Sequence, residues 1–176
     1  MNHSPSTPPK HERVTAFVES LSIDSPPGVD PRYAGFFACF HAGDYYEAHD
    51  VLENLWLSCD DANRGFYQGL IQLAGAFVHL RKHHQFPAHP KHHFRLRPAA
   101  RLFLMARARL QSFPARHFGL ETAEVAARCL AWHEAIAASD FTVNPWSPGR
   151  LPRLPVDLAP GNSDFPIARN LTSCTL

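Results

Sequence analysis

Hydrophobic residues recur with a helical period along most of the chain. They predict six helices, at about residues 10–22, 32–41, 45–58, 62–82, 98–113 and 121–139. No segment has the alternating pattern of a strand. Because the predicted helices are joined by short turns, neighbouring helices are expected to run antiparallel. The pattern therefore predicts an all-α fold, a compact antiparallel bundle of five to six short helices with an irregular Pro-rich C-terminal tail.

The two ends of the chain differ in composition from this predicted bundle. Residues 1–9 are polar and rich in proline, so we expect them to be disordered. Residues 140–176 contain six prolines, which exclude a long helix and predict an irregular tail, held to the bundle by Trp146 and Phe165. The expected organisation is a single helical domain over residues 10–139, between a disordered N-terminus and this tail.

Gly43 and Asp44 mark the turn between the second and third predicted helices. Gly43 is expected to end one helix, and Asp44 with Glu47 three residues later has the spacing of a capping box. In that motif each side chain bonds a free backbone N–H of the first turn. Glu47 is therefore interpreted as a structural residue in preference to a catalytic one.

The third predicted helix carries a histidine and a carboxylate side by side. His49 and Glu53 are four residues apart, which places them on one face of a helix, at the edge of its apolar stripe. On the same helical wheel Glu47, Asp50 and Asn54 point elsewhere. His49 and Glu53 are therefore expected to act together without these three neighbours.

The fourth predicted helix is apolar around most of its circumference, which predicts a central position in the bundle. One narrow polar band remains, formed by Gln68, Gln72, Gly75 and His79. A buried polar group without a partner costs about 1–3 kcal/mol, so this band needs partners. The polar pair on the preceding helix is the nearest candidate. Small residues beside the band would let another backbone, a ligand or a second copy of the chain approach closely.

Three interpretations of these side chains stay open. They form a hydrogen-bond network that fixes helix register, a pocket for a small polar ligand, or a divalent metal site. As an enzyme the chain would be a metal-dependent hydrolase, with His49 as general base or ligand and Glu53 orienting it. Whether it is an enzyme is not decided by the sequence. The ligand-binding candidates are Trp56, Gln68, Gln72 and His79, and the metal-binding candidates are His49, Glu53 and His79.

Charge is distributed unevenly, although the net charge is only +1. Residues 62–120 contain ten Lys or Arg and no Asp or Glu. This favours anionic partners and leaves anion or RNA binding through residues 81–116 as a further hypothesis. No helix-turn-helix, zinc-finger or RNA-binding motif accompanies the basic residues, so nucleic acid is disfavoured. A solvated face, or one paired with Glu121 and Glu124, is the preferred interpretation.

The histidine-rich stretch after the fourth predicted helix is interpreted as an exposed loop. His83, His84, His89, His92 and His93 have no fixed ligand spacing, so any metal they bind is expected to be adventitious.

The cysteines and the longest apolar run indicate where in the cell the protein is expected. The apolar run at residues 69–80 is too short to span a bilayer, and the N-terminus lacks the apolar run of a signal peptide. The four cysteines lack CxxC spacing and predict reduced thiols. A cytoplasmic location without membrane association is therefore expected. The cysteines are Cys39, Cys59, Cys129 and Cys174.

Two motifs in succession resemble a known family. "FHAGDYYEAHDVLENLW" followed by "FYQGLIQLAGAFVHLRK" is similar to the small prokaryotic and plastid proteins called domain of unknown function 309. The resemblance covers about residues 32–113 and implies an all-α fold of short antiparallel helices, but no particular reaction. Asp50 stands where the family often has Glu, and the histidine-rich loop replaces its usual Gly-Asn turn. The matching positions are Glu47, His49, Glu53, Trp56, Gln68, Gly69, Gln72, Ala76 and His79.

Overall fold

The computed structural model describes residues 16–17, 25–89 and 94–159. Within these ranges the chain forms five helices and no strand, only isolated β-bridges, so the all-α prediction is confirmed. Of the predicted first helix only residues 16 and 17 are described, and both are helical; the rest of it lies outside the described residues, as do residues 1–9. The helices are α1 (Pro31–Ala42), α2 (Tyr45–Leu57), α3 (Arg64–Gln85), α4 (Leu96–Leu110) and α5 (Thr122–Ala137).

The turn between α1 and α2 is built around Gly43. Its φ of 85° is left-handed, and its N–H bonds the last carbonyls of α1, as the sequence predicted. The capping-box prediction was wrong, because the Asp44 side chain makes no hydrogen bond to the start of α2. Arg81 of α3 donates to the Gly43 carbonyl at 2.8 Å and lies 3.6 Å from the Asp44 carboxylate. This tertiary ion pair holds Asp44 in place of the expected local cap.

Each helix packs against the next one along the chain, so α3 lies between α2 and α4. The closest approach of α4 is at Gly69. A Cβ there would lie 3.2 Å from Leu110 and 3.3 Å from Arg109, which is tighter than ordinary packing. This confirms the expectation that the small residues of this helix admit a close neighbour, and identifies α4 as that neighbour at Gly69.

The core is dominated by aromatic side chains from all parts of the bundle. Tyr45 and Phe77 stack with their ring centroids 5.1 Å apart, and Phe103 and Trp132 stack at 5.9 Å. Rings arranged in this way add to the hydrophobic stabilisation that their burial provides. The fully buried aromatic residues are Tyr33, Phe36, Phe40, Tyr45, Phe66, Phe77 and Phe103.

The chain that follows α5 folds back onto α1 and α2. Trp146 is buried, and its Nε1 donates to the Tyr45 hydroxyl at 3.1 Å. The Leu154 N–H donates to Nε2 of His41 at 3.0 Å. The predicted anchoring by Trp146 is therefore confirmed, whereas Phe165 lies outside the described residues.

The C-terminal end of α3 also differs from the sequence prediction. His83 and His84 belong to this helix and not to the loop, because α3 continues to Gln85. Asn144 donates to the Leu80 carbonyl at 2.8 Å, and the His84 ring packs on Trp146 with centroids 5.3 Å apart. Packing of the returning chain supports these last turns, which residue pattern alone did not reveal.

The remaining expectations concern exposure, thiols and membranes. His89 is exposed, as predicted, while residues 92–93 lie outside the described part of the chain. Cys39, Cys59 and Cys129 are free thiols, and residue 174 is not described. Among the described helices, none combines the length and apolar character needed to cross a bilayer.

Candidate functional site

One side of α2 carries three potential metal-ligating side chains, His49, Asp50 and Glu53, which we call the α2 cluster. One nitrogen and two carboxylate oxygens of these residues lie within 4.8 Å of one another. The pairing of His49 with Glu53 follows the helical prediction. The expectation that Asp50 points elsewhere was wrong, since its Oδ1 lies 3.2 Å from Nδ1 of His49. The wheel gives the direction of Cα–Cβ bonds, but a short side chain can still turn toward its neighbour.

The contact with Asp50 determines which ring nitrogen of His49 carries the proton. A carboxylate can only accept hydrogen bonds, so Nδ1 of His49 is the donor and carries the proton. In the neutral imidazole the lone pair then lies on Nε2. An ion that binds both Asp50 and Nδ1 of His49 would displace this proton, because metal ligands bind in their deprotonated form. Without an ion, Nε2 of His49 can act as a proton acceptor.

The polar band of α3 meets α2 close to this cluster. A Cβ placed on Gly75 would lie 3.9 Å from Cδ2 of His49, so the imidazole packs beside the α3 backbone. Gln72, one turn earlier, is only 8% exposed, and Gln68 is half-buried. His49 thus reaches the α3 band at Gly75, as expected.

Two buried polar atoms of α2 and α3 have no hydrogen-bond partner among the described residues. They are the donor Nε1 of Trp56 and the acceptor Oε1 of Gln72. Buried polar atoms are nearly always paired, if not with protein then with water or a ligand. The hydrogen-bond network hypothesised from the sequence is therefore not closed by the described side chains at these two atoms.

Two residues of this region were missed by sequence reasoning. One is Asp50 of the α2 cluster. The other is Arg64, whose guanidinium lies over the Trp56 ring, 4.2 Å from its centroid, and donates to the Trp56 carbonyl at 2.8 Å. An arginine at the start of the next helix was the available indication of this contact. Its basic charge was instead assigned to the surface.

His79 has a different partner from His49. Its Nδ1 lies 3.2 Å from a guanidinium nitrogen of Arg95, and an arginine can only donate. The His79 imidazole is therefore neutral, with Nδ1 as acceptor and the proton on Nε2. Burial, then the charges of Arg95 and Lys82, lower its pKa to about 4. A cation at His79 would face the repulsion of this guanidinium.

Part of the basic segment is neutralised by acidic neighbours. Arg116 lies 3.5 Å from Glu121 and 3.2 Å from Asp157, which confirms the predicted pairing with Glu121. Glu124 instead pairs with Arg128 of its own helix at 2.5 Å. The acid-free sequence segment is thus not an acid-free surface.

Part of the chain matches a known protein family. The family model described as Domain of unknown function (DUF309) matches residues 33–89, roughly a third of the chain. These residues include the α2 cluster and the polar band of α3. No curated protein and no solved structure gives a significant match. Residues 33–89 are thus similar to the DUF309 family, in agreement with the resemblance of the two motifs.

Proposed function

We propose that the α2 cluster binds a divalent metal ion. The observation that carries this proposal is the grouping of three ligand atoms within 4.8 Å on successive turns of one helix. One imidazole nitrogen with two carboxylate oxygens is a donor set suited to Zn²⁺, Mn²⁺ or Fe²⁺. A cation between the two carboxylates would also offset their mutual repulsion.

The environment of the cluster supports access by an ion from solvent. The side chains of His49 and Asp50 are 30% and 18% exposed, so they are neither sealed in the core nor fully solvated. The contact of His49 with Asp50 brings these two ligands together before any ion arrives, which lowers the entropic cost of binding. His79 is left out of the proposed site, because its lone pair faces Arg95.

A metal-dependent hydrolase is the second candidate function. Three protein ligands leave coordination positions open, and a metal-bound water in such a position is the nucleophile of many hydrolases. The partial exposure of His49 and Asp50 favours this candidate over a purely structural ion. In this scheme His49, Asp50 and Glu53 would be the metal ligands, and the substrate would enter from the exposed side.

The test uses untagged protein purified without chelators. Bound metal is measured by elemental analysis, and Zn²⁺ and Mn²⁺ are then titrated into the metal-stripped protein by calorimetry. His49→Ala, Asp50→Asn and Glu53→Gln each alter one proposed ligand. The matched control is the double variant His84→Ala/His89→Ala, which removes exposed imidazoles that are not part of the α2 cluster.

We expect about one ion per chain in the wild type and in the control. Affinity should fall by roughly ten- to a hundredfold in the α2 variants, the usual effect of removing a ligand or its orienting partner. Equal binding by all the proteins, or a loss confined to the control, would contradict the proposal. Hydrolysis of model phosphate and carboxylate esters, with and without metal, then tests the second candidate.

A further inference from the structure

A cleft lies between α5 and the returning segment 145–153, on residues that the family match does not include. Its volume is about 610 Å³, which falls in the range of roughly 300–1,000 Å³ found for small-molecule sites. The walls combine arginine side chains from both elements with the indole of Trp132 from α5. The lining residues used below are Arg128, Trp132, Arg150 and Arg153.

The lining of the cleft carries basic side chains and no acidic ones. Three arginines line it, and no acidic residue is among its lining residues. Arg128 is held in place, since it donates to the Arg153 carbonyl and to Glu124 at 2.5 Å each. Arg150 and Arg153 are exposed at the rim. A guanidinium binds carboxylate and phosphate groups through paired hydrogen bonds, so two arginines at one rim favour an anion.

The other side of the cleft is apolar and rigid. Trp132 stacks on Phe103 with an angle of 13° between the rings and meets Phe77 edge-on at 5.1 Å. A smaller cavity of about 50 Å³ adjoins it, lined by Phe77 and Cys129 and sharing Trp132 with the cleft. The indole is thus fixed by the core and presents a ready surface to an apolar group.

We propose that this cleft binds a small organic anion that also carries an apolar or aromatic group. Arg150 and Arg153 bind the carboxylate or phosphate, and the apolar group packs against Trp132. Arg128 positions the site by tying the returning segment to α5. This binding function is separate from the α2 cluster and does not depend on a metal ion.

The experiment titrates the full-length protein with phenyl phosphate and follows the binding by calorimetry and by NMR of the tryptophan indole N–H signals. Benzoate replaces the phosphate by a carboxylate, inorganic phosphate lacks the ring, and benzyl alcohol lacks the charge. The test variant is Arg150→Ala/Arg153→Ala. The matched control, Arg97→Ala/Arg101→Ala, removes the same charge from exposed positions on α4. A Trp132→Phe variant assigns the Trp132 indole signal.

We expect saturable binding of phenyl phosphate, with one molecule per chain and a shift of the Trp132 indole signal. Binding should weaken about tenfold or more in the Arg150/Arg153 variant and stay unchanged in the control, because each charged hydrogen bond is worth roughly a factor of ten or more. Inorganic phosphate and benzyl alcohol should each bind more weakly than phenyl phosphate. Benzoate should bind if the guanidinium groups accept either anion.

Several results would overturn the proposal. One is the absence of saturable binding by both phenyl phosphate and benzoate. Another is an equal loss of affinity in the test and control variants, which would indicate general electrostatic attraction. Binding of inorganic phosphate as tight as that of phenyl phosphate, or binding without a change at Trp132, would remove the apolar half of the site.

Discussion

Buried polar atoms in the aromatic core have hydrogen-bond partners, whereas two at the interface between α2 and α3 have none among the described residues. In the core the Tyr33 hydroxyl donates to the Phe118 carbonyl at 2.9 Å, and Trp146 donates to the Tyr45 hydroxyl at 3.1 Å. Phe118 and Trp146 both lie beyond the residues that match the family. Residues beyond the family match therefore supply the hydrogen-bond partners of these core groups.

The α2–α3 interface contains two buried polar atoms without a hydrogen-bond partner among the described residues. Nε1 of Trp56 and Oε1 of Gln72 lack partners among the described residues, and both lie within the family segment. A buried polar atom stabilises the folded protein only when it has a hydrogen-bond partner. These two atoms therefore contribute no stability. The core groups are thus paired within the protein, whereas two atoms of the interface have no partner among the described residues.

The largest effect is expected in the core. Trp146→Ala should lower the free energy of unfolding by about 3–5 kcal/mol, because it removes a buried indole and strands the Tyr45 hydroxyl. Urea denaturation measures the loss. Leu57→Ala is the control, since that side chain is 65% exposed and its loss should cost less than about 0.5 kcal/mol. Similar losses in the two variants would show that the returning chain does not complete the core.

The next effect depends on pH and on His79. Burial and Arg95 lower the pKa of His79 to about 4 in the folded protein, from 6.5 for the ordinary group. The unfolded chain therefore binds the proton more readily, and stability falls as the pH drops from about 6.5 to 4. We expect this group to account for on the order of 2 kcal/mol of the fall.

Denaturation of the wild type and a His79→Gln variant at several pH values measures the contribution of His79. Glutamine can still accept from Arg95 but does not titrate, so the acid-induced loss should be smaller in the variant. His41, whose pKa is lowered mainly by burial and also by Arg153, provides a background of the same sign in both proteins. Identical pH dependence in the two would contradict the assignment.

Two conservative substitutions compare a buried polar atom that has a hydrogen-bond partner with one that has none among the described residues. Tyr33→Phe should cost about 1–2 kcal/mol, because the Phe118 carbonyl loses its donor in a buried place. Gln72→Met should be neutral or stabilise by up to about 1 kcal/mol, since the oxygen it removes has no partner among the described residues. Thermal unfolding of both variants decides the matter. A loss at Gln72 as large as that at Tyr33 would favour the hydrogen-bond network.

The smallest effect is expected at His49 in the absence of metal. His49→Ala should change stability by less than about 0.5 kcal/mol, because the ring is partly exposed and its partner Asp50 can be solvated. A structural network would instead lose a few kcal/mol. Denaturation in the presence of a chelator separates this effect from stabilisation by a bound ion. A large loss there would return the α2 cluster to a structural role.

What the sequence determined by itself is mostly local. The bounds of α2, the end of α1 at Gly43 and the pairing of His49 with Glu53 all depend on residues within four positions of one another. Helical periodicity and backbone preference act over this range, so a residue pattern contains them. For the same reason the two motifs were sufficient to indicate the family.

The tertiary structure decided which partner each polar group obtained. His79 is bound by Arg95, sixteen positions away, and not by the α2 cluster. The last turns of α3 are supported by Asn144, and the arginine-lined cleft exists only because segment 145–153 folds back on α5. These contacts depend on the direction in which helices and connecting segments pack, which a residue pattern does not specify. Periodicity thus indicated where the helices lie, while packing decided the last turns of α3 and the partner of each polar group.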